Sequence, residues 1–320
     1  MKKNRDGKAA LGFLAPNLVG FAAFTLGPVL FSLVASLTNW NLKQTVPTRF
    51  VGLENYAKLL SDRLFWLYLQ NTVYMMLGIP FAIFGSLWLA VLLNRKLKGM
   101  GAYRTLLYLP SFTSGVALMI LWKSLYNPEF GPINQAIAKG LSLVGLQGKV
   151  DLPQWLISTH NVAGLDVEKL GFTSNQFGLG ARDALIYMGI WIAIGGSNML
   201  LYLAGLSNVP EELTEAAELD GASRWKCFRH VTWPQLAPTT FFIAVMSVIG
   251  GLQGGFEQAR VMTLGGPAAT TTTLAYYIYS KAFEEFRIGY ASALSWVLFA
   301  VIATATFMNW RFGNRAVNDV

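Results

Sequence analysis

Few residues in this 320-residue chain could carry covalent chemistry. His160 and His230 are isolated, too few to gather the three or four ligands a zinc-type site needs. Cys227 stands alone, so no disulfide framework can form. The sequence G-x-x-x-x-G-K-S/T does not occur, so the chain brings no phosphate-cradling loop of its own. Catalytic residues, metal ligands and a cofactor bound by this chain are therefore not expected. One hydrophilic segment does stand out, residues 211–238, EELTEAAELDGASRWKCFRHVTWPQLAP, set between long apolar runs. Its chemistry is recognition: an ordered, charge-dense segment beside a membrane is suited to a soluble protein partner.

The local physics of that segment predicts a helix, a turn and a second helix. Pro210 suits a helix start, where its missing N–H costs nothing, and Glu211 and Glu212 favour the positive helix end. At 100° per residue Leu213, Ala216, Ala217 and Asp220 share one face, with Glu211, Glu215 and Glu218 opposite. Alanines on a face allow another backbone to approach closely. Gly221 is the expected C-cap, since it takes the left-handed conformation freely. Ser223 is placed to cap a short second helix with Trp225 and Phe228 together, ringed by Arg224, Lys226 and Arg229. A helix lying on anionic lipid is disfavoured, because its first half is acidic.

The elements that must hold this segment are membrane spans. The chain is 53% hydrophobic and 13% charged, with mean hydropathy +0.42. Soluble domains carry about 25% charged residues. Six apolar runs, Leu11–Leu37, Asn71–Leu93, Thr105–Trp122, Ala184–Leu206, Pro238–Phe256 and Ile288–Trp310, contain none of the Asp, Glu, Lys or Arg residues. Such avoidance is what spanning requires, since a charge at the helix centre costs about 2.5–3.5 kcal/mol on insertion scales. The expected fold is thus an all-α integral membrane protein with six transmembrane helices and both termini cytoplasmic. The orientation follows from the short basic loop LNRKLKGMGAYR and the Lys-rich start. The net charge of +8 reads as topology and contact with anionic lipid, not as a nucleic-acid footprint.

Along the chain we expect an N-terminal helix with its outer loop (1–70), a core transmembrane domain (71–310) and a cytoplasmic tail (311–320). FVGLENYAKLL and DRLFWLYLQ, in the first outer loop, look like amphipathic segments at the outer interface. A long outer loop at 123–183 is either a small cap for a soluble partner or a floppy insertion. The segment at 207–237 lies on the inner side. Pro16, Pro28, Pro80 and Pro110 can kink their spans. Glycine pairs at 195–196 and 250–255 permit close helix approach or a pathway lined by backbone.

Glu215-Ala216-Ala217, Gly221, Val231 and Pro234 match the spacing EAA-x3-G-x9-I-x-L-P of binding-protein-dependent ABC importer permeases. Val231 and Trp233 stand where that family carries isoleucine and leucine. FVGLENY (50–56), NTVY (71–74), YLPSFTSGVA (108–117), LAGLSNVPEELTEAAELDGASRW (203–225), QARVMTLGGP (258–267) and YASALSWVLF (290–299) resemble the carbohydrate branch, the maltose and glycerol-3-phosphate type. The resemblance covers about residues 10 to 311. It implies the type I importer architecture in a bacterial cytoplasmic (inner) membrane. The segment at 207–237 is then a coupling helix seated on a cytoplasmic ATPase subunit. Implied partners are a second permease (a related but different chain), two ATPase subunits that bind ATP and Mg, an extracytoplasmic solute-binding protein and the sugar. The implied coupling set is Glu211, Glu215, Ala216, Ala217, Asp220, Gly221, Ala222, Phe228 and Pro234. Glu215 is the acidic contact, Ala216 and Ala217 the close-packing face, and Gly221 the turn.

An ion-coupled secondary transporter is the alternative reading, but such carriers place carboxylates or histidines within their spans, and none lie there. A membrane-embedded enzyme lacks its nucleophile–base pair, and nothing resembles a channel filter. Neutral sugars are held by aromatic faces with amide and hydroxyl groups. Trp191, Asn198, Gln253 and Phe256 are the pathway candidates on that ground, interhelical packing being the competing role for each.

Overall fold

The computed structural model describes residues 3–318 except 45–46, 96–97, 114 and 164–176. Its elements are helical, and among the described residues only isolated bridges, Thr38 with Phe50 and Asn161 with Phe177, pair as in a sheet. In chain order they are α1 (Lys3–Phe21), α2 (Gly27–Ser36), α3 (Glu54–Ser61), α4 (Arg63–Met75), α5 (Gly78–Leu93), α6 (Met100–Tyr108), α7 (Gly115–Leu125) and α8 (Pro132–Leu143). There follow α9 (Ala181–Ile194), α10 (Ser197–Ser207), α11 (Glu211–Leu219), α12 (Arg224–Cys227), α13 (Trp233–Gln235), α14 (Ala237–Gln253), α15 (Leu274–Tyr279) and α16 (Ile288–Asn318).

Four stretches are long and apolar enough to cross a membrane: Gly12–Ser36, Arg63–Leu93, Ala181–Ser207 and Ile288–Arg311. Two bent pairs, Met100–Phe112 with Gly115–Leu125 at 97° and Arg224–Gln235 with Ala237–Gln253 at 62°, bring the spans to six when each pair is one crossing. Pro110 sits in the 3-10 turn Leu109–Phe112 at the sharper bend, where its missing N–H removes a helical bond. Pro16 leaves α1 unbroken. Broken helices at membrane depth are tolerated only where protein or a water-lined cavity surrounds the freed backbone.

Two compact units divide the chain. The first comprises residues 1–62 and 278–300. Asn55, buried, donates to the carbonyls of Ser36 and Thr38 at 2.8 Å each, tying α3 to the end of α2. Tyr290 donates to Asp62 at 2.9 Å, and Trp296 donates to Ser32 at 3.2 Å.

The second unit holds residues 63–277 and 301–320. DRLFWLYLQ, expected as a separate interfacial piece, forms the first turns of α4, with Phe65, Leu67 and Tyr68 buried. Burial on several sides outweighed its amphipathic pattern. Leu87, Ala90, Met199, Tyr202, Leu206, Leu236 and Ile243 form one core that joins α5, α10 and α14. In lipid no hydrophobic force draws helices together, so small residues and interhelical hydrogen bonds do it. Ser86 accordingly donates to the carbonyl of Ala193 at 3.1 Å, and Tyr202 bonds Thr240 at 3.2 Å.

The described part of the 123–183 loop is a folded cap. Asn134, buried, donates to the carbonyls of Pro128 at 3.0 Å and Pro153 at 3.1 Å, and accepts from the Trp155 indole at 2.7 Å. Tyr126 donates to the carbonyl of Ala184 at 2.8 Å, and burial pushes its phenol above the ordinary tyrosine range.

Candidate functional site: coupling segment and membrane cavity

Pro210 is extended and opens α11 with Glu211 and Glu212 in the first turn. Gly221 closes it at φ +80. The Ala222 N–H reaches the carbonyl of Ala217 at 2.9 Å and the Gly221 N–H that of Glu218 at 3.0 Å. That paired pattern is the Schellman stop, which satisfies carbonyls the helix end leaves open. Ser223 occupies the N-cap of α12, but its side chain makes no capping bond; its carbonyl accepts from Cys227 N–H at 2.9 Å. The short helix therefore starts from backbone geometry and packing, not from the hydroxyl.

What seats the segment is aromatic. Trp225 and Phe228 stack at 5.7 Å, Phe228 lies 6.4 Å from Trp233, and Trp233 stacks on Phe84 of α5 at 6.4 Å. Phe228 and Trp233 pack against the α5–α10–α14 core. Trp233, one of the two departures from the family spacing, thus joins the segment to the spans. Cys227 is buried beneath, and Pro234 leads into α14.

α11 itself buries no residue. Glu211, Thr214, Glu215 and Glu218 line a 660 Å³ cleft together with Val91, Asn94, Arg224 and Thr232. The acidic face therefore turns toward its own chain. Glu215, Ala216, Asp220 and Gly221 are exposed, and Ala217 and Ala222 are half-buried. Leu213 is exposed as well, and Leu219, at 89%, is almost free of the protein. The structure brings Glu211, Glu215 and Phe228 to one cleft and leaves Ala216 and Leu219 on the open side.

A second feature lies between α4, α5, α9 and α14. A 320 Å³ cavity is bounded by Met75, Met76 and Ile79, by Leu185, Ile186 and Ile190, by Asn198, and by Ser247, Gly251, Gly254, Gly255 and Gln258. Of the four residues selected from sequence, Asn198 lines it and the others do not. Trp191 packs edge-on against Trp122 at 5.4 Å, Phe256 against Tyr276 at 6.0 Å, and Gln253 is exposed. The polar groups that sequence reasoning missed are Ser247 and Gln258. Gln258 follows the helix break at Gly254–Gly255, where Gly255 has φ +84, and that glycine pair was the available signal. The break re-aims the chain, so helical phase counted from α14 fails beyond it.

A family profile described as "Binding-protein-dependent transport system inner membrane component" matches residues 56–313. The chain is 34% identical over 317 residues to the probable ABC transporter permease protein YesP of Bacillus subtilis, covering 96% of this chain and 92% of that one. It is 33% identical to the lactose transport system permease protein LacF of Rhizobium radiobacter, covering 93% and 91%. The sn-glycerol-3-phosphate transport system permease protein UgpA of Yersinia pestis is 27% identical, covering 94% and 95%. Among solved structures, a chain of a bacterial alginate ABC transporter in complex with an alginate pentasaccharide-bound periplasmic protein superposes with TM-score 0.77 at 22% identity, over 99% of this chain and 97% of that one. Profile, relatives and fold agree, and the chain belongs to the family of inner membrane components of binding-protein-dependent transport systems, the permeases of ABC importers.

Proposed function

We propose that this chain forms, with a second permease, the pathway by which an ATP-driven importer moves a sugar or oligosaccharide delivered by an extracytoplasmic binding protein. The observation that carries the reading is the α11–α12 segment, a hydrophilic helix–turn–helix whose acidic face lines a cleft with its own chain and whose Ala216 and Leu219 stay open, wedged by Phe228 and Trp233 onto the core of the spans. A push on α11 passes through that wedge to α5 and α14, which bound the cavity. Two cytoplasmic ATPase subunits supply the push, and ATP with Mg binds there. Both termini and the α11–α12 segment then face the cytoplasm. Relatives named for lactose, multiple sugars and sn-glycerol-3-phosphate support the carbohydrate class.

The amide and hydroxyl of Asn198, Ser247 and Gln258, with glycine backbone beside them, suit a neutral polyol, which offers many donors and no charge. Reconstitution of the chain with its second permease, ATPase subunit and binding protein tests the reading. Uptake of labelled sugar should need ATP and all four components, and vanadate should stop it. Uptake that continues without the ATPase subunit and collapses with a proton ionophore would overturn it.

A further inference from the structure

Arg182 is a guanidinium buried to 1% exposure in the first turn of α9, beside the buried Asp183, and the coupling segment and cavity do not use it. Its Nη1 donates to Asn71 Oδ1 at 3.4 Å, and its plane lies 4.6 Å from the Tyr74 ring centroid. Tyr74 in turn donates to Asp183 Oδ1 at 2.7 Å, and Asp183 Oδ2 accepts from the backbone N–H of Val162 at 3.2 Å and Gly180 at 3.3 Å. Asn71 donates to the carbonyls of Ala269 at 2.9 Å and Thr272 at 3.1 Å, and Thr72 accepts from the Leu274 N–H at 3.0 Å. One buried polar knot therefore ties α4, the start of α9 and the threonine loop 269–273.

The position of the knot is informative. Tyr74 immediately precedes Met75 and Met76, and Arg182 lies one helical turn before Leu185 and Ile186; these residues line the cavity. Gly255, another lining residue, abuts Thr273. The knot and its loop thus lie beside the cavity, next to the lining residues Met75, Leu185 and Gly255, and away from the α11 cleft, whose lining includes Val91 and Asn94 at the far end of α5.

The bonding of Arg182 is incomplete. Nε and Nη2, which form the side-on edge of the guanidinium that matches two acceptor oxygens, have no hydrogen-bond partner among the described residues. A buried donor left unmade costs free energy, so this closed arrangement is held by a charge it does not fully satisfy.

We infer that the Asn71–Tyr74–Arg182–Asp183 knot is the outer gate of the cavity and that Arg182 is its positioning residue. Arg182 offsets the charge of the adjoining Asp183 without a direct ion pair among the described residues, anchors Asn71, and through Asn71 holds the loop at 269–273 beside the cavity; opening breaks these bonds. This rests on the importer reading, which sets the face called outer; labelling is therefore compared from both faces, in right-side-out and inside-out vesicles, so that a gate on the opposite face is read separately. A cysteine is placed in the cavity at Ser247 and labelled with a membrane-impermeant maleimide; Cys227 is buried in the coupling segment. Arg182→Met leaves Asp183 without its countercharge, and Asp183→Asn leaves Arg182 without its own. Each should raise the labelling rate on the order of five- to tenfold by shifting the closed population.

The double variant removes both charges and should return the rate toward that of the parent. Tyr74→Phe, which keeps the ring and drops one hydrogen bond, gives a smaller rise and serves where the charge variants fail to fold. In the reconstituted complex the single variants should also hydrolyse ATP faster without binding protein. Equal labelling in parent, Arg182→Met, Asp183→Asn and Tyr74→Phe would overturn the gate, as would a double variant more open than either single one. Loss of ATP-driven uptake in the unmodified complex would instead overturn the importer reading, and the labelling would still decide the gate.

Discussion

At Gly221 a single backbone angle decides whether the coupling segment is compact. A side chain there would meet nothing within 4 Å, so any penalty comes from the left-handed conformation alone. Gly221→Val should therefore cost about 1–2 kcal/mol at the turn, and Gly221→Asn far less, since asparagine visits that region. The expected result is ATP-driven uptake cut severely by valine and nearly retained with asparagine, with equal amounts of chain in the membrane. Equal uptake by both would remove the turn from the coupling path. This residue was legible because the conformational freedom of glycine is local. Gln258 and Arg182 were not: their importance comes from what a helix break and a distant loop place beside them.

Among the elements, the cap in residues 123–183 shows how one side chain holds a loop that sequence left undecided. Asn134 makes three hydrogen bonds while almost fully buried. Asn134→Ala should destabilise the cap by about 2–4 kcal/mol, counting the lost bonds and the Trp155 indole left without its acceptor. Limited proteolysis of the detergent-solubilised chain should then cut between α8 and Trp155, where the unmodified chain resists. Resistance unchanged by the substitution would show that the cap is held elsewhere. The spans themselves were largely readable from the charge-free runs, although α9 starts earlier and takes in Arg182 and Asp183; Pro110 and Gly254–Gly255 mark breaks, whereas Pro16 does not. The 97° turn beside Pro110 was not readable in size, because proline removes one hydrogen bond but the neighbours set the angle.

For the whole molecule, the importer reading fixes which side each end of the cavity faces. Glu212 is exposed on α11. Glu212→Cys should be labelled by an impermeant maleimide in inside-out vesicles and spared in right-side-out ones. The reverse pattern would place the coupling segment outside and end the ATPase-docking reading. The cavity offers a second test. A side chain at Gly251 would approach Met76 at 2.9 Å and Ile79 at 3.1 Å, so Gly251→Leu overfills the space between α14 and the α4–α5 junction. Overpacking of this kind costs about 1–3 kcal/mol. Uptake should fall while the binding protein keeps its own affinity for sugar; undiminished uptake would exclude the cavity from the pathway.

Composition, charge avoidance and the Glu215–Pro234 spacing were enough to determine a helical, multi-span membrane chain with one hydrophilic coupling segment; the structure gives four spans, or six with each bent pair as one crossing. These are statements about solvent preference and local backbone geometry, which each residue carries with it. Which polar groups meet at membrane depth was decided only by the tertiary structure. Asn71 and Arg182 are 111 positions apart and Asn71 and Thr272 are 201, and nothing in the periodicity of either span announces such a meeting. The breaks at Pro110 and at Gly254–Gly255 reset helical phase. Beyond them the direction of a side chain depends on the packing of the whole unit and not on its distance along the chain.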